Sequence, residues 1–309
     1  MLADANFVRA LVVCPRCRGA LEGSWDALRC ANDACALDAF HTVGRWPVLV
    51  DFDDSILDEQ RILASGAATL APRVGGVLRR LRDFLTSRPD TPDYVRRFRD
   101  AVPRGGTVLI IGGGTVGALV QPFYDDPELR VIGFDIYGTA ATQFVADAHQ
   151  IPAADASVDA VVIIAVLEHV LDPWRVVGEI HRVLKPGGAL YAETPFLQHV
   201  HEAAYDFTRF TESGHRWLFR RFDRVASGTA GGPGTQLLWS VQHFVRSLTR
   251  SRMVAKAAGV LFHWLRWFDG AIAERDAIDG ASAFYFVGTK SDRVLAPREM
   301  AAYYRGAQR

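Results

Sequence analysis

The sequence contains no run of about 18 strongly apolar residues and no charged start followed by a long apolar stretch. It therefore predicts neither a membrane span nor a secretory signal. It also has no charge excess, because 35 Lys and Arg residues balance 35 Asp and Glu residues. This balance disfavours proteins that coat nucleic acid or an acidic membrane, since both partners select basic surfaces. A local patch could still make a peripheral membrane contact.

Cysteine is scarce, with four residues that all lie within the first 35 positions. Nothing in this usage requires an oxidising compartment, so the sequence predicts a cytoplasmic protein. The 309 residues suffice for one large and one small domain, and an apolar fraction of 49% is typical of globular proteins. No internal repeat or low-complexity tract is present.

The pattern along the chain predicts three regions. Residues 1–55 hold every cysteine and are interpreted as a zinc ribbon. Residues 56–104 read as a helical linker, because Leu78, Leu81 and Leu85 recur at helical spacing and prolines punctuate the segment. Residues 105–309 form the large domain, with a helical insert at about 236–275. The sequence leaves the oligomeric state open.

The cysteines form two close pairs. Two residues separate Cys14 from Cys17, and four separate Cys30 from Cys35. Two such pairs can wrap a tetrahedral metal, and thiolates favour zinc. Protein would fill every ligand position, so the predicted Zn²⁺ site is structural. The alternatives are four free or buried cysteines, or His41 as ligand in place of Cys35.

The segment that runs from "CPRC" to "FHTVGRWPVLV" resembles the small zinc-ribbon domain of the Trm112-like type. Downstream, short apolar runs alternate with helical stretches. The predicted strands are "TVLII", "RVIGF", "QFVADA", Val158–Val166, Ala189–Pro195 and a final "ASAFYFVGT", whereas "SGTAGGPGT" is expected to be a turn. Strand–helix alternation predicts an α/β fold with a parallel, Rossmann-like sheet and helices on both faces.

The stretch "VLIIGGGTVG" places Gly112, Gly114 and Gly117 at G-x-G-x-x-G spacing after a strand. This spacing predicts a tight turn into a helix N-terminus that lets a ligand approach the backbone. Asp135 ends the next strand, where a carboxylate can bind ribose hydroxyls. These features alone are equally compatible with binding of NAD and of S-adenosylmethionine.

The following pieces distinguish the two cofactors. "DAHQIP", "LEHV", "EIHRVLKPGG" and the strand after it resemble, in this order, the second half of class I S-adenosylmethionine-dependent methyltransferases of the type 11-like group. In "LKPGG", Pro186 is expected to end a helix, and Gly187 and Gly188 to supply positive φ. The resemblance covers residues 105–225 and implies S-adenosylmethionine as cofactor. The cofactor-binding residues it implies are Gly112, Gly114, Gly117, Asp135, Ile136, Asp147, Ala148, Ala165 and Glu168.

The sequence departs from this family pattern at two points. Ile110 stands where many members carry an acidic residue in the first strand. Only 11 residues separate Asp135 from Asp147, which is too few for a full helix and a strand. The adenine side is therefore expected to be more open. Uncharacterised bacterial methyltransferases share this short crossover and a piece similar to "YDFTRFT".

Candidate acceptor residues follow the fifth strand, in "PFLQHVHEAAYDFTRFT". His201 is the predicted base, since imidazole titrates nearest neutral pH. His199 and Asp206 are further catalytic candidates, and Phe196, Tyr205 and Arg209 are candidates for binding the substrate. The alternative is that Tyr205, Asp206, Arg209 and Phe210 only brace the loop.

The helical insert combines aromatic and basic residues and allows three interpretations: core or dimer packing, a hydrophobic acceptor pocket, or attachment to a membrane surface. The predicted function is methyl transfer from S-adenosylmethionine to a small-molecule, sugar or lipid-linked acceptor. An RNA methyltransferase is a second hypothesis, supported by the Arg-rich stretch Arg73–Arg104 and disfavoured by the charge balance. A non-catalytic zinc-ribbon adaptor is a third.

Overall fold

The structure is a computed structural model that describes residues 2–64 and 92–308. Leu78, Leu81 and Leu85, on which the predicted linker helices rest, lie outside these residues, as does the part of Arg73–Arg104 before residue 92. The chain divides into two compact units, Met1–Ile163 with Trp174–Leu190, and Ile164–Pro173 with Tyr191–Arg309.

The described residues form eleven strands and ten α-helices. The strands are β1 (Leu21–Ser24), β2 (Ala27–Cys30), β3 (Thr42–Val43), β4 (Trp46–Leu49), β5 (Thr107–Ile111), β6 (Arg130–Asp135), β7 (Phe144–Ala146), β8 (Val158–Ile164), β9 (Leu184–Pro195), β10 (Phe222–Gly231) and β11 (Ala283–Lys290). The helices are α1 (Ala5–Leu11), α2 (Glu59–Ala64), α3 (Asp93–Ala101), α4 (Gln121–Asp125), α5 (Pro173–Val183), α6 (Glu212–Leu218), α7 (Pro233–Thr249), α8 (Arg252–Leu261), α9 (Glu274–Ile278) and α10 (Pro297–Tyr303).

The first unit is built on a mostly parallel sheet. Its strands run in the order β8-β5-β6-β7-β4-β3, and every pair except β3–β4 is parallel. All five residues of β5 are buried, as expected for a strand covered on both faces. The predicted α/β class is confirmed. β1 and β2 form a separate antiparallel pair.

The N-terminal segment contributes a strand to this sheet. β4 lies parallel to β7, with Val48 opposite Val145. The Trp46 indole is buried and donates from Nε1 to the carbonyl oxygen of Thr142 at 2.9 Å. A Cβ on Gly138 would lie 2.4 Å from this ring. Residues 136–143 contain no helix, so Trp46 packs against the short crossover that the sequence predicts.

Trp46→Ala is expected to lower the free energy of unfolding by about 3–5 kcal/mol, because it empties a buried aromatic site and frees two carbonyls. Denaturant unfolding measures the change. Trp267→Ala is the matched control, since Trp267 is 76% exposed and its loss should change stability by no more than about 0.5 kcal/mol. Equal losses in the two variants would contradict this packing role.

Three strand boundaries differ from the sequence prediction. β9 begins at Leu184 rather than Ala189, so "KPGG" lies within a strand. Gly187 has the expected positive φ, of +72°, whereas Gly188 does not have positive φ. β8 ends at Ile164, two residues early, where Ala165 takes φ of +53°. The predicted turn at "SGTAG" is wrong, because these residues pair with β11 in β10.

The second unit contains the antiparallel pair β10–β11. β11 neighbours β9, whose residues from Tyr191 belong to this unit. The predicted helical insert is present as α7, α8, a 3-10 helix at His263–Gly270 and α9. Its interpretation as core packing is wrong for most of its large apolar residues, because only Leu238 and Leu265 among them are buried.

Candidate functional site

The four cysteines converge in the first unit. Their sulfur atoms all lie within 4.8 Å of one another. The Sγ atoms of Cys14 and Cys35 are 3.8 Å apart, and those of Cys17 and Cys30 are 3.4 Å apart. Four thiolates around a tetrahedral zinc at about 2.3 Å require Sγ–Sγ distances near 3.8 Å. The donor set and its spacing therefore fit a structural zinc ion.

The alternative ligand His41 does not join this cluster. Its Nε2 lies 3.3 Å from the Glu59 carboxylate, and its side chain is well exposed. Within the cluster, the backbone amide of Gly19 lowers the pKa of Cys17 to about 6, whereas burial raises the pKa of Cys14. One thiol is thus poised as a thiolate, the form that binds metal.

The glycine loop follows β5, as predicted. Gly112 has φ of +76°, which favours glycine. A Cβ on Gly114 would lie 2.6 Å from both Asp135 Oδ2 and the Tyr137 ring, so any larger residue there would displace one of these side chains. The helix after the loop differs from the prediction, because it begins at Gln121 and spans five residues. The loop between β5 and α4 is therefore longer than the predicted tight turn.

Asp135 lies at the end of β6, beside this loop. Its Oδ2 accepts the amide of Gly114 at 2.8 Å, and its Oδ1 accepts the amide of Ile136 at 2.7 Å. Burial raises the pKa of Asp135 to about 6 despite these two bonds. Each carboxylate oxygen keeps a further acceptor position, and the Ile136 side chain beside it is exposed. A carboxylate next to an open apolar side chain fits a ribose and its base.

Asp147 follows β7, and its carboxylate is occupied by protein. It accepts the hydroxyl of Ser55 at 2.5 Å, and the amide and Nδ1 of His149 at 2.9 and 2.6 Å. Burial alone would raise the pKa of Asp147, but these bonds hold it below its ordinary value. The Asp147 carboxylate is therefore engaged by Ser55 and His149. The backbone at the neighbouring Ala148 is the remaining candidate for contact with an adenine.

A second group of titratable side chains lies in the second unit. Glu168 is 1% exposed, and neither of its carboxylate oxygens has a hydrogen-bond partner from the described residues. The Nε2 atoms of His169 and His201 lie 3.6 and 3.9 Å from Glu168 Oε1. Burial raises the pKa of Glu168 to about 7 and lowers the pKa of His169. The three groups are close enough to share a proton or a cation.

The ring of each histidine is held at its other nitrogen. His169 Nδ1 lies 2.7 Å from the carbonyl oxygen of Tyr205, and His201 Nδ1 lies 3.3 Å from Asp206 Oδ2. Arg209 pairs with Asp206 and holds the pKa of that carboxyl well below its usual range. A carboxylate at Nδ1 favours the tautomer whose Nε2 carries the free lone pair. His201 Nε2 can therefore accept a proton on the side of Glu168.

Several predicted residues have structural partners. Arg209 donates to Asp206 and to the carbonyls of Gln198 and His199, so the bracing interpretation of this pair agrees with its contacts. Phe196 stacks on Phe284 with ring centroids 5.5 Å apart. His199 stacks on His243, and its buried Nδ1 has no hydrogen-bond partner among residues 2–64 and 92–308. Tyr205 is 40% exposed, and Ala165 is exposed in a left-handed conformation.

Neither His169 nor Ser55 is among the candidate site residues predicted from the sequence. The His169 signal was present in "LEHV", where adjacent acidic and imidazole groups end a buried strand. Ser55 had no comparable signal, because its partner Asp147 is distant in sequence and a lone serine is common.

The α/β sheet, the glycine loop and the acidic end of β6 form a candidate site for a cofactor that carries a ribose. Residues 109–192 match the family described as "Methyltransferase domain". This segment of the chain is therefore similar to a methyltransferase domain, as the sequence resemblance predicts.

An uncharacterised methyltransferase of Mycobacterium sp. (strain JLS) is 36% identical over 98 residues, which are 29% of this chain and 38% of that protein. The chain thus spans less than half the length of the curated relatives it matches. A chain of the complex between the Haloferax volcanii Trm112 methyltransferase activator and a methyltransferase is similar in structure, with 22% identity, coverage of 62% and 88%, and a TM-score of 0.42. Haemonchus contortus phosphoethanolamine N-methyltransferase 2, in complex with S-adenosyl-L-methionine, shows 15% identity, coverage of 68% and 56%, and a TM-score of 0.45.

Proposed function

We propose that this protein transfers a methyl group from S-adenosylmethionine to a small-molecule, sugar or lipid-linked acceptor. The observation that carries the proposal is the Asp135 carboxylate beside the Gly112–Gly114 turn, inside the segment that matches the methyltransferase family. S-adenosylmethionine supplies an electrophilic methyl group on a sulfonium. Protein residues then need only bind, align and exclude water.

The cofactor role is assigned to the glycine loop and its neighbours. The backbone of Gly112, with its positive φ, and that of Gly114, where a Cβ would clash with Asp135, would support the ligand, while Gly117 has open space at its Cβ position. Asp135 accepts ribose hydroxyls, and exposed Ile136 offers an apolar contact for the base. Ala148, Ala165 and Glu168 remain predicted cofactor contacts. The four cysteines would hold a structural zinc ion.

The acceptor role is assigned to His201 in the second unit. Its Nε2 would take the acceptor's proton, Asp206 would hold the ring at Nδ1, and buried Glu168 would balance the charge of the imidazolium. Asp206 and Arg209 are positioning residues in this scheme. A histidine base suits a hydroxyl acceptor, because an alcohol must lose a proton that an amine or carboxylate need not lose in the transfer step.

Asp135→Asn is expected to weaken S-adenosylmethionine binding about 10- to 100-fold, because it removes a charged acceptor for hydroxyls. Titration calorimetry measures the affinity. In the unaltered protein, affinity should be full well above pH 6 and should fall as pH drops through about 6, since protonation removes the acceptor charge. The Asn variant should lose this pH dependence.

Asp100→Asn is the matched control, because Asp100 is an exposed carboxylate on α3 of the same unit and should leave binding unchanged. NAD should bind neither protein. If the unaltered protein fails to bind S-adenosylmethionine or its demethylated product at millimolar concentration, the enzyme proposal is wrong and the adaptor hypothesis gains support. A cytoplasmic location stays a prediction.

A further inference from the structure

The insert formed by α7, α8 and the 3-10 helix has an unusual charge composition. Residues 233–268 contain no Asp or Glu and five cationic side chains: Arg246, Arg250, Arg252, Lys256 and Arg266. The whole chain has zero net charge, so this segment concentrates positive charge that is balanced elsewhere. Four of the cations, Arg246, Arg250, Arg252 and Lys256, are exposed. In the part of the chain that the structure describes, no carboxylate lies within salt-bridge distance of these four.

The same segment exposes an unusual amount of apolar surface. Of 21 exposed large apolar side chains on the described residues, ten lie between positions 237 and 268. They are Leu237, Phe244, Leu248, Met253, Val254, Val260, Leu261, Trp264, Trp267 and Phe268, with exposed fractions from 43% to 81%. Scattered exposed apolar residues are normal, but such a concentration marks an interaction surface.

This exposure belongs to a well-packed element. α7 packs against both α8 and the 3-10 helix. A Cβ on Gly259 of α8 would lie 1.7 Å from the Gln242 side chain of α7, so the two helices approach closely there. Asp269 accepts the amides of Gly234 and Thr235 at 2.6 and 3.1 Å and so ties the end of the 3-10 helix to the start of α7. The buried side chains of this element are used by the fold, whereas the ten exposed apolar side chains, together called its apolar face, are not.

The charge decides between the possible occupants of this face. A two-fold contact between two copies would bring the four exposed cations close to the same four cations of the second copy, which costs free energy. An anionic bilayer supplies negative charge for the cations and an apolar interior for the aromatic and aliphatic side chains. Among the described residues no helix is long and apolar enough to cross a bilayer, so the contact would lie in the plane of the interface.

We propose that α7, α8 and the 3-10 helix bind the surface of an anionic lipid bilayer. The exposed apolar side chains insert among the lipid headgroups, and the arginine and lysine side chains contact lipid phosphates. This inference goes beyond methyl transfer and does not depend on it. If both hold, the surface would bring a lipid-linked acceptor to the enzyme.

Vesicle co-sedimentation of the full chain tests the proposal without cofactor or acceptor. Vesicles of phosphatidylcholine with about 30% phosphatidylglycerol should bind the protein, whereas pure phosphatidylcholine should bind it at least tenfold less. The double variant Arg250→Gln, Lys256→Gln should lower the partition coefficient about thirtyfold, since each cation near an anionic surface contributes roughly 1 kcal/mol. High salt should weaken binding in the same direction.

The apolar contribution is tested by Trp267→Ser with Met253→Ser, which should also reduce binding at least tenfold. Val294→Ser is the control, because Val294 is 53% exposed outside the insert and should leave binding unchanged. Circular dichroism of each variant checks the fold. Failure of the unaltered protein to bind anionic vesicles, or equal binding to neutral vesicles, overturns the proposal. Dimers in light scattering without vesicle binding would assign the face to self-association. None of these results bears on cofactor affinity, which calorimetry measures separately.

Discussion

Cys14→Ser is expected to abolish binding of the proposed zinc ion and to unfold the N-terminal segment. Cys14 is fully buried within the four-sulfur cluster, and its loss leaves three thiolates and an open position. Structural zinc contributes on the order of 10–16 kcal/mol of apparent binding free energy in small domains. The zinc content should fall from one ion per chain to below about a tenth, and the melting temperature should fall by many degrees.

Elemental analysis and thermal unfolding of the purified full chain measure both effects. His41→Ala is the matched control, since His41 faces Glu59 outside the cluster, and it should retain one zinc ion per chain. Loss of zinc in that variant would contradict the four-cysteine set. A mass lower by two hydrogens in the unaltered protein, with no metal, would show a disulfide between neighbouring sulfurs instead.

The effect on the fold should extend beyond the cluster, because the N-terminal segment supports the sheet at several places. β4 pairs with β7, Ser55 bonds to Asp147, and Arg18 pairs with Glu179 at 3.1 Å. The affinity of the Cys14→Ser variant for S-adenosylmethionine is therefore expected to fall as well, although no cysteine is among the proposed cofactor-binding residues.

His201→Ala is expected to lower kcat by about 10²- to 10⁴-fold, the range of general-base contributions. The proposed base has Asp206 at one nitrogen and Glu168 near the other, so an alanine removes the group to which this scheme assigns the proton. Transfer of a tritiated methyl group from S-adenosylmethionine, into separated lipid and water-soluble extracts of the source cells, measures the rate. Cofactor affinity by calorimetry should remain unchanged.

Two further variants separate a proton-accepting role from a bracing role. Asp206→Asn should lower kcat less than His201→Ala, because the imidazole remains in place and loses only its charged partner at Nδ1. The His41→Ala variant serves as the histidine control, with full activity expected. Unchanged methyl incorporation by His201→Ala would remove the base assignment while leaving the methyltransferase proposal intact.

The sequence predicts the sheet well, because its signal is local. "TVLII" and "VDAVVIIAV" are short apolar runs, and the structure buries every residue of the first. The four-cysteine cluster is equally local in its spacing. The turn predicted at "SGTAG" is wrong for a physical reason. Glycine and serine favour turns by conformational freedom, but pairing with β11 across some 50 residues overrides that preference.

The candidate site was only partly readable for the same reason. The glycine loop and Asp135 each directly follow or end a short apolar run, so the sequence places them at the ends of predicted strands. Asp147 also lies at the position expected for a cofactor contact, yet its carboxylate accepts hydrogen bonds from Ser55 and His149. Ser55 is 92 residues away in sequence, so no local pattern indicates this contact. The sequence left open whether the helical insert is buried or exposed, because apolar residues at helical spacing look alike whether they face a core or solvent.

The position of β4 beside β7 has a consequence for the order of folding during synthesis. Val48 pairs with Val145, so 145 − 48 = 97 residues must be added before this part of the sheet can close. At about 5–20 residues per second, β4 would leave the ribosome some 5–20 s before its partner. The cysteine cluster, which needs only residues up to Cys35, can close during that interval. Metal supply would then set the pace of maturation, and chains made under zinc limitation would expose an unpaired strand edge to aggregation.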